Sequence, residues 1–287
     1  MTTEYIHAII LGIIQGIAEF LPISSSGHLV IADAVLRQYS GTAAPQESTT
    51  MSIALHFGTL LSIMVVYRRE LMALLSDFRL MFLIVVATIP VGVVGVAFKD
   101  QIEEIFQKPI LAGCALLVTA AFLLIGRRLQ QAESQTTELK AMSRRTATVI
   151  GIFQAIAIIP GISRSGSTIA AGMACGLNRE HAARFSFLIA IPAIGGASVM
   201  QLKDLVTGEE VFTGSPLPLL IGAVISFVVG VITLKWLIRL LVADRLHLFA
   251  RYCIVVGLLT ILWQLSLHPS AISEPSTSPT AIQGVSP

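Results

Sequence analysis

Two apolar stretches in this chain, 5–36 and 147–177, are interrupted halfway by Pro22 and by Pro160-Gly161, and each break is followed by a run rich in Ser and Gly. Each half is too short to cross a bilayer, which takes about 20 apolar residues in helical form. Irregular backbone facing lipid would strand its N–H and C=O groups, so the breaks predict helix–loop–helix hairpins whose polar tips are buried in protein or line a wet cavity. Six other stretches, 51–67, 80–98, 109–126, 184–202, 217–238 and 249–267, come close to or reach the spanning length. The expected fold is an all-α integral membrane protein with six transmembrane helices plus two re-entrant helix hairpins.

Composition agrees with this. The chain is 54% hydrophobic and 13% charged, with a mean hydropathy of +0.81. A soluble domain carries about 25% charged residues, so soluble enzymes, nucleic-acid readers and disordered scaffolds are excluded. Cys114, Cys175 and Cys253 lie in apolar runs without a CxxC or a nearby His. They read as small core hydrophobes rather than a disulfide framework or a zinc site. The N-terminus lacks a basic n-region and its apolar stretch contains Glu19, so it is not read as a removed signal peptide. The expected organisation is a single membrane domain over 1–268, followed by a disordered Ser/Pro-rich tail over 269–287.

Basic residues orient such a bundle, because cytoplasmic loops retain Lys and Arg. With 68–79, 127–146, 178–184 and 235–251 inside, those segments hold 14 of the 19 basic residues. The first hairpin then enters from outside and the second from the cytoplasm, with three spans after each. That predicts inverted repeats, over about 5–126 and 147–268. The sequence carries the repeat directly: GIIQGIAEFLPISSSG (12–27) aligns with GIFQAIAIIPGISRSG (151–166) at a constant offset of 139, with nine of sixteen positions identical. Two helix N-termini brought together near the midplane make an anion site.

The second tip, Ser163-Arg164-Ser165-Gly166-Ser167-Thr168, places helix-capping hydroxyls around an arginine at membrane depth. Gly161 and Gly166 let backbone approach a ligand, and a guanidinium matches phosphate oxygens, so the tip reads as a phosphate clamp. The first tip differs where chemistry would require it: Glu19 stands at the position of Ile158, Ser25 at that of Arg164 and His28 at that of Ser167. A carboxylate, a hydroxyl and an imidazole are the parts of nucleophilic or general acid–base catalysis. Gln15 and Glu19, four apart, share one helix face, and Glu19 is the candidate ligand for a divalent cation held together with substrate phosphates. The plainer alternative makes Glu19 a buried structural acid paired with Arg164, and the two roles can coexist. His56 is a weaker candidate, since a lone histidine at the start of a span is more often a hydrogen-bonded core residue. Gly58 and the Gly195-Gly196 pair are expected to permit close helix packing. Arg127-Arg128 reads as a topology signal.

The run QGIAEFLPISSSGH (15–28) followed by PGISRSGST (160–168) resembles the signature pair of the bacterial undecaprenyl-diphosphate phosphatases, the bacitracin-resistance proteins. The resemblance covers both motifs, their separation and the layout of spans. It implies removal of the terminal phosphate of undecaprenyl diphosphate, regenerating the lipid carrier of cell-wall synthesis, with bacitracin resistance as a consequence. It also implies a bacterial inner-membrane location, a site opening to the periplasm and support by a divalent cation, Mg or Ca. The family's functional positions fall on Gln15, Glu19, Ser25, His28, Ser163, Arg164 and Thr168, with Ser24, Ser26, Gly27, Ser165 and Gly166 of the tips as further substrate-binding candidates. Gln15 is the glutamine variant of a position that is Glu or Gln in the family. Ser25, His28 and water all remain open as the attacking group. The expected partners are a polyprenyl diphosphate and the bilayer, with no nucleic acid and a homodimer left open.

Two alternative classes share some of these features. The acid-phosphatase type of lipid phosphatase has Lys-x6-Arg-Pro and Ser-Arg-x5-His motifs, but this chain has no Arg-Pro dipeptide, and the position six after Arg164 is Ala170. A transporter or flippase shares the plan of inverted repeats with broken helices. Glu19 and His28, present in one half only, favour chemistry over symmetric gating.

Overall fold

The computed structural model describes residues 2–40, 49–105, 108–132, 139–207 and 216–267. Among the described residues the regular elements are all helical: α1 (Thr2–Ala18), α2 (Ser25–Ser40), α3 (Thr49–Val66), α4 (Arg68–Leu74), α5 (Phe78–Ala97), α6 (Lys99–Ile105), α7 (Pro109–Ala132), α8 (Arg144–Ile156), α9 (Arg164–Ala174), α10 (Arg179–Val206), α11 (Pro216–Val242) and α12 (Leu246–Leu267), with a short 3-10 turn at Leu139–Ala141. The tail 269–287 lies outside the described residues.

Five helices, α5, α7, α10, α11 and α12, contain segments long and apolar enough to cross a membrane. The remaining expected span, 51–67, is α3, which bends by 77° into α4 and gives a sixth crossing when the pair counts as one. The chain is an all-α, multi-pass membrane protein. Its outer surface is apolar: on α5, Phe82, Val85, Ile89, Val93 and Val96 recur every three or four residues and are each about half exposed or more, as a lipid-facing stripe is.

The inner faces are close-packed through small residues, which let backbones approach where lipid supplies no hydrophobic drive between helices. α1 lies on α11, α8 on α5, and α7 on α12. A methyl on Gly12 would stand 2.8 Å from the carbonyl oxygen of Gly222, and one on Gly151 would stand 2.6 Å from that of Ala87. Gly58 likewise packs against the carbonyl of Ala223, as expected from sequence. Gly195 and Gly196 do not: a Cβ at either would meet nothing within 4 Å, because that part of α10 faces outward. The cysteines also divide, with Cys253 buried, Cys175 intermediate and Cys114 exposed, so only Cys253 is a core residue.

Both expected interruptions are present. α1 stops at Ala18 and α2 begins at Ser25; α8 stops at Ile156 and α9 begins at Arg164. In the first break Ser24 takes the left-handed conformation (φ 69°), and its hydroxyl accepts the N–H of Gly27 at 3.2 Å. In the second, Gly161 has φ 97°, and Ser163 caps α9 by accepting the N–H of Gly166 at 3.1 Å. Phe20, fully buried, anchors the first tip edge-on to Phe187, with centroids 5.9 Å apart.

Candidate active site

The two tips meet. The Ser24 hydroxyl accepts the N–H of Gly161 at 3.1 Å, and the Ser165 hydroxyl donates to the carbonyl of Leu21 at 3.3 Å. Thr119 on α7 brackets the second tip: its hydroxyl donates to the Gly161 carbonyl and accepts the N–H of Ser163, both at 2.9 Å. The Cys253 thiol of α12 lies 3.6 Å from the Pro22 carbonyl. The starts of α2 and α9 are therefore tied to one another through the two tips, and both reach one place.

That place is a cavity of about 50 Å³ lined by Ala18, Glu19, Ser24, Ser25, Ser26, Ala157, Ile162, Ser163 and Arg164. Glu19 is its centre. One carboxylate oxygen pairs with an Arg164 nitrogen at 2.5 Å. The other accepts the Ser25 hydroxyl at 3.0 Å and the Gln15 amide at 3.2 Å, and lies 4.0 Å from Nε2 of His56. The Glu19 and Arg164 side chains are 8% and 16% exposed, so each ion relies on the other. Two atoms here have no hydrogen-bond partner among the described residues: Nη1 of Arg164 and Oε1 of Gln15. Each unmet buried polar atom costs about 1–3 kcal/mol, which an incoming polar group would recover.

The sequence candidates fall into three sets. Glu19, Ser24, Ser25, Ser26, Ser163 and Arg164 line the cavity, with Gln15 directly behind Glu19. Gly27, Ser165 and Gly166 hold the tips in shape: a methyl on Gly27 would meet Gly161 at 2.7 Å, and one on Gly166 would meet Pro22 at 3.1 Å. His28 and Thr168 do not line the cavity; each bonds the backbone of a lining residue and a side chain of another helix. The Thr168 hydroxyl bonds the Arg164 carbonyl at 2.8 Å and Ser186 of α10 at 2.5 Å. Nδ1 of His28 donates to the Ser24 carbonyl at 2.7 Å, so in the neutral ring Nε2 accepts, and the Tyr252 hydroxyl of α12 lies 2.7 Å from it. The two rings stack, 12° from parallel.

Two residues near the site were not foreseen, and His56, a weaker candidate from the sequence, stands beside it. Thr119 is a single hydroxyl in an apolar run, and Tyr252 lies 224 positions from His28, so neither carries a local signal. His56 is hydrogen-bonded to the Ser52 carbonyl at 2.8 Å, as a core histidine would be, yet its other nitrogen faces Glu19.

No group of three or more His, Cys, Asp or Glu able to hold a metal is found among the described residues. The one carboxylate lining the cavity is that of Glu19, beside serine hydroxyls, and Gln15, bonded to Glu19, keeps an unpartnered Oε1 nearby. This set fits a hard cation whose shell is completed by phosphate oxygens, and is too small for one held by protein alone.

A carboxylate touching both a hydroxyl and a guanidinium among membrane helices has the parts to bind an anionic group and act on it, the class of site expected of a membrane phosphatase. The chain belongs to the bacitracin-resistance protein family, since the family profile "Bacitracin resistance protein BacA" matches residues 8–259. It is 48% identical over 263 residues to the undecaprenyl-diphosphatase of Rhodopirellula baltica, covering 91% of this chain and 99% of the relative. It is 40% identical to that of Methanosphaera stadtmanae (92% and 99% covered), and 37% identical to that of Bacteroides fragilis strain ATCC 25285 (90% and 97%).

Proposed function

We propose that this chain hydrolyses the phosphoanhydride of undecaprenyl diphosphate, releasing inorganic phosphate and undecaprenyl phosphate, the carrier reused in cell-wall synthesis. Bacitracin resistance follows from that activity. The observation that carries the reading is the convergence of Ser25, Glu19 and Arg164 from two separate broken helices on one cavity.

The chemistry follows from the partners. The cavity of about 50 Å³ has room for one or two waters, each of about 30 Å³, so a diphosphate enters only if the tips part. On entry the phosphate takes the place of Glu19 on Arg164, whose unpartnered Nη1 supplies a further donor. Glu19 keeps the Ser25 hydroxyl that already donates to it and is placed to accept its proton. Oγ of Ser25 attacks the terminal phosphorus, its proton passes to Glu19, and the bond to the bridging oxygen breaks, releasing undecaprenyl phosphate. Water then hydrolyses the phosphoserine and regenerates Ser25. Arg164 and the first-turn N–H groups of α9 stabilise charge on the transferring group in both steps. His28, held by Ser24 and Tyr252, orients the start of α2. A divalent cation, when bound, would rest on Glu19, Gln15 and the diphosphate, offsetting phosphate charge.

The same tips support inverted repeats as the plan of the whole domain. At an offset of 139, Ser24 and Ser163 make the same cap, and Gly27 meets Gly161 just as Gly166 meets Pro22. With the arginine-rich ends in the cytoplasm, the site opens to the periplasm of a bacterial inner membrane, through two re-entrant hairpins of opposite entry. The test is phosphate release from undecaprenyl diphosphate by purified protein in detergent, with and without chelator, beside Ser25→Ala. Loss in the variant, with a phosphoserine trapped in the wild type by acid quench, is expected. A Ser25→Ala protein of unchanged rate would transfer the attack to water.

A further inference from the structure

A larger cavity lies elsewhere. About 400 Å³ opens between the Arg127 end of α7 and the start of α12, lined by Leu124, Arg127, His247, Ala250, Arg251 and Ile254. It shares no lining residue with the cavity at the tips.

We propose that this crevice binds the phosphate of an anionic membrane phospholipid, with one acyl chain lying along α12. Its polar end is cationic. Arg127 grips Asp244 through Nε (2.9 Å) and Nη2 (2.8 Å), which leaves Nη1 for another acceptor. The same carboxylate is shared by Arg179, whose Nη2 lies 3.0 Å from Oδ1, so Asp244 cannot neutralise both guanidiniums. Arg251 is exposed and has no ion pair among the described residues. His247 donates from Nδ1 to the Asp244 carbonyl at 3.2 Å, which leaves Nε2 for an outside group.

The other wall is apolar and continues into the bilayer. Leu124 of α7 and Ile254 of α12 form it, and Ile254 is succeeded one turn along α12 by Leu258, which is 47% exposed and lies on the same helix face. A cationic head above an apolar track is complementary to a phosphodiester on an acyl chain rather than to free phosphate. It stands at the level where snorkelling arginines meet headgroups. Phospholipid is also the abundant phosphate-bearing molecule at that level, so mass action fills the crevice with it.

The test titrates delipidated protein in detergent with short-chain phosphatidylglycerol and phosphatidylcholine, reading bound lipid by native mass spectrometry. Phosphatidylglycerol should bind at least about tenfold tighter, from two charges near the surface. Arg251→Gln should weaken it about fivefold, from one charge, while Arg251→Lys retains most of the binding. Hydrolysis of undecaprenyl diphosphate by Arg251→Gln should match the wild type, which shows that the variant is folded. If it does not fold, the comparison of the two lipids on the unaltered chain decides. Equal binding of the two lipids, or Arg251→Gln binding as well as wild type, overturns the site. Displacement of phosphatidylglycerol by equimolar inorganic phosphate or polyprenyl monophosphate overturns the assignment to phospholipid.

Discussion

Arg164 sits where a carboxylate and an incoming phosphate compete for one guanidinium. It holds Glu19 at 2.5 Å while Nη1 lacks a partner among the described residues. An ammonium can keep the ion pair but cannot present a planar fork to phosphate. Arg164→Lys is therefore expected to remain folded yet lose about 100-fold or more in kcat, the scale of losing a transition-state donor, measured as phosphate release beside a thermal melt in detergent. Tyr252 acts at one remove. Tyr252→Phe keeps the ring stack and removes the hydroxyl that lies 2.7 Å from His28 Nε2. The loss of one hydrogen bond, about 0.5–1.5 kcal/mol, predicts a fall in kcat of about two- to tenfold. KM should barely move; a rise in KM with kcat intact would place Tyr252 at the lipid instead. At this scale the sequence is legible where residues are neighbours in the chain or in the aligned motifs, as with Gln15 and Glu19 on one face, or Ser163 as a cap. Tyr252 and Thr119 are not legible in it, because partners supplied by a distant helix leave no spacing to read.

Among the elements, the broken helices were the most legible, since proline and glycine act locally on the backbone. Gly161 shows why. Its φ of 97° is open to glycine at little cost, and a Cβ would run into the Ala112 carbonyl and, at 2.7 Å, the Ala115 methyl. Gly161→Ala adds left-handed strain of about 1–2 kcal/mol to this overlap. It should lower the melting temperature in detergent and loosen the bracket from Thr119, cutting turnover; a melt equal to wild type would mean that the tip tolerates a different backbone. Which helix face meets protein and which meets lipid was less legible. An apolar residue suits either surroundings, so Cys114 and Gly195-Gly196 looked like packing positions and prove to face outward or into open space. Arg127-Arg128 also did more than mark an end, because the loop carrying Asp244 comes back to Arg127.

At the scale of the whole molecule, several helix contacts come in reciprocal pairs. Gly113 of α7 and Gly257 of α12 each face the other's carbonyl, at 3.1 and 2.7 Å for an added methyl, as residues beside a two-fold axis do. The first helix of each half packs on a span of the other, α1 on α11 and α8 on α5. The inverted repeats proposed for this domain require the links before α5 and before α11 to emerge on opposite sides of the membrane. Ser76, just before α5, and Thr207, just after α10, are both exposed and stand in those links. With the arginine-rich segments inside, a cysteine at Ser76 belongs in the cytoplasm and one at Thr207 outside. In a background lacking Cys114, Cys175 and Cys253, Thr207→Cys should react with a membrane-impermeant thiol reagent added to cells with a permeabilised outer membrane. Ser76→Cys should react only once the inner membrane is opened. Labelling of both from one side would break the inverted relation, and exchange of their behaviour would turn the site to the cytoplasm. The expected pattern brings Ser25 and Arg164 to the cavity on hairpins of opposite entry, so a phosphate bound there is held by both halves at once.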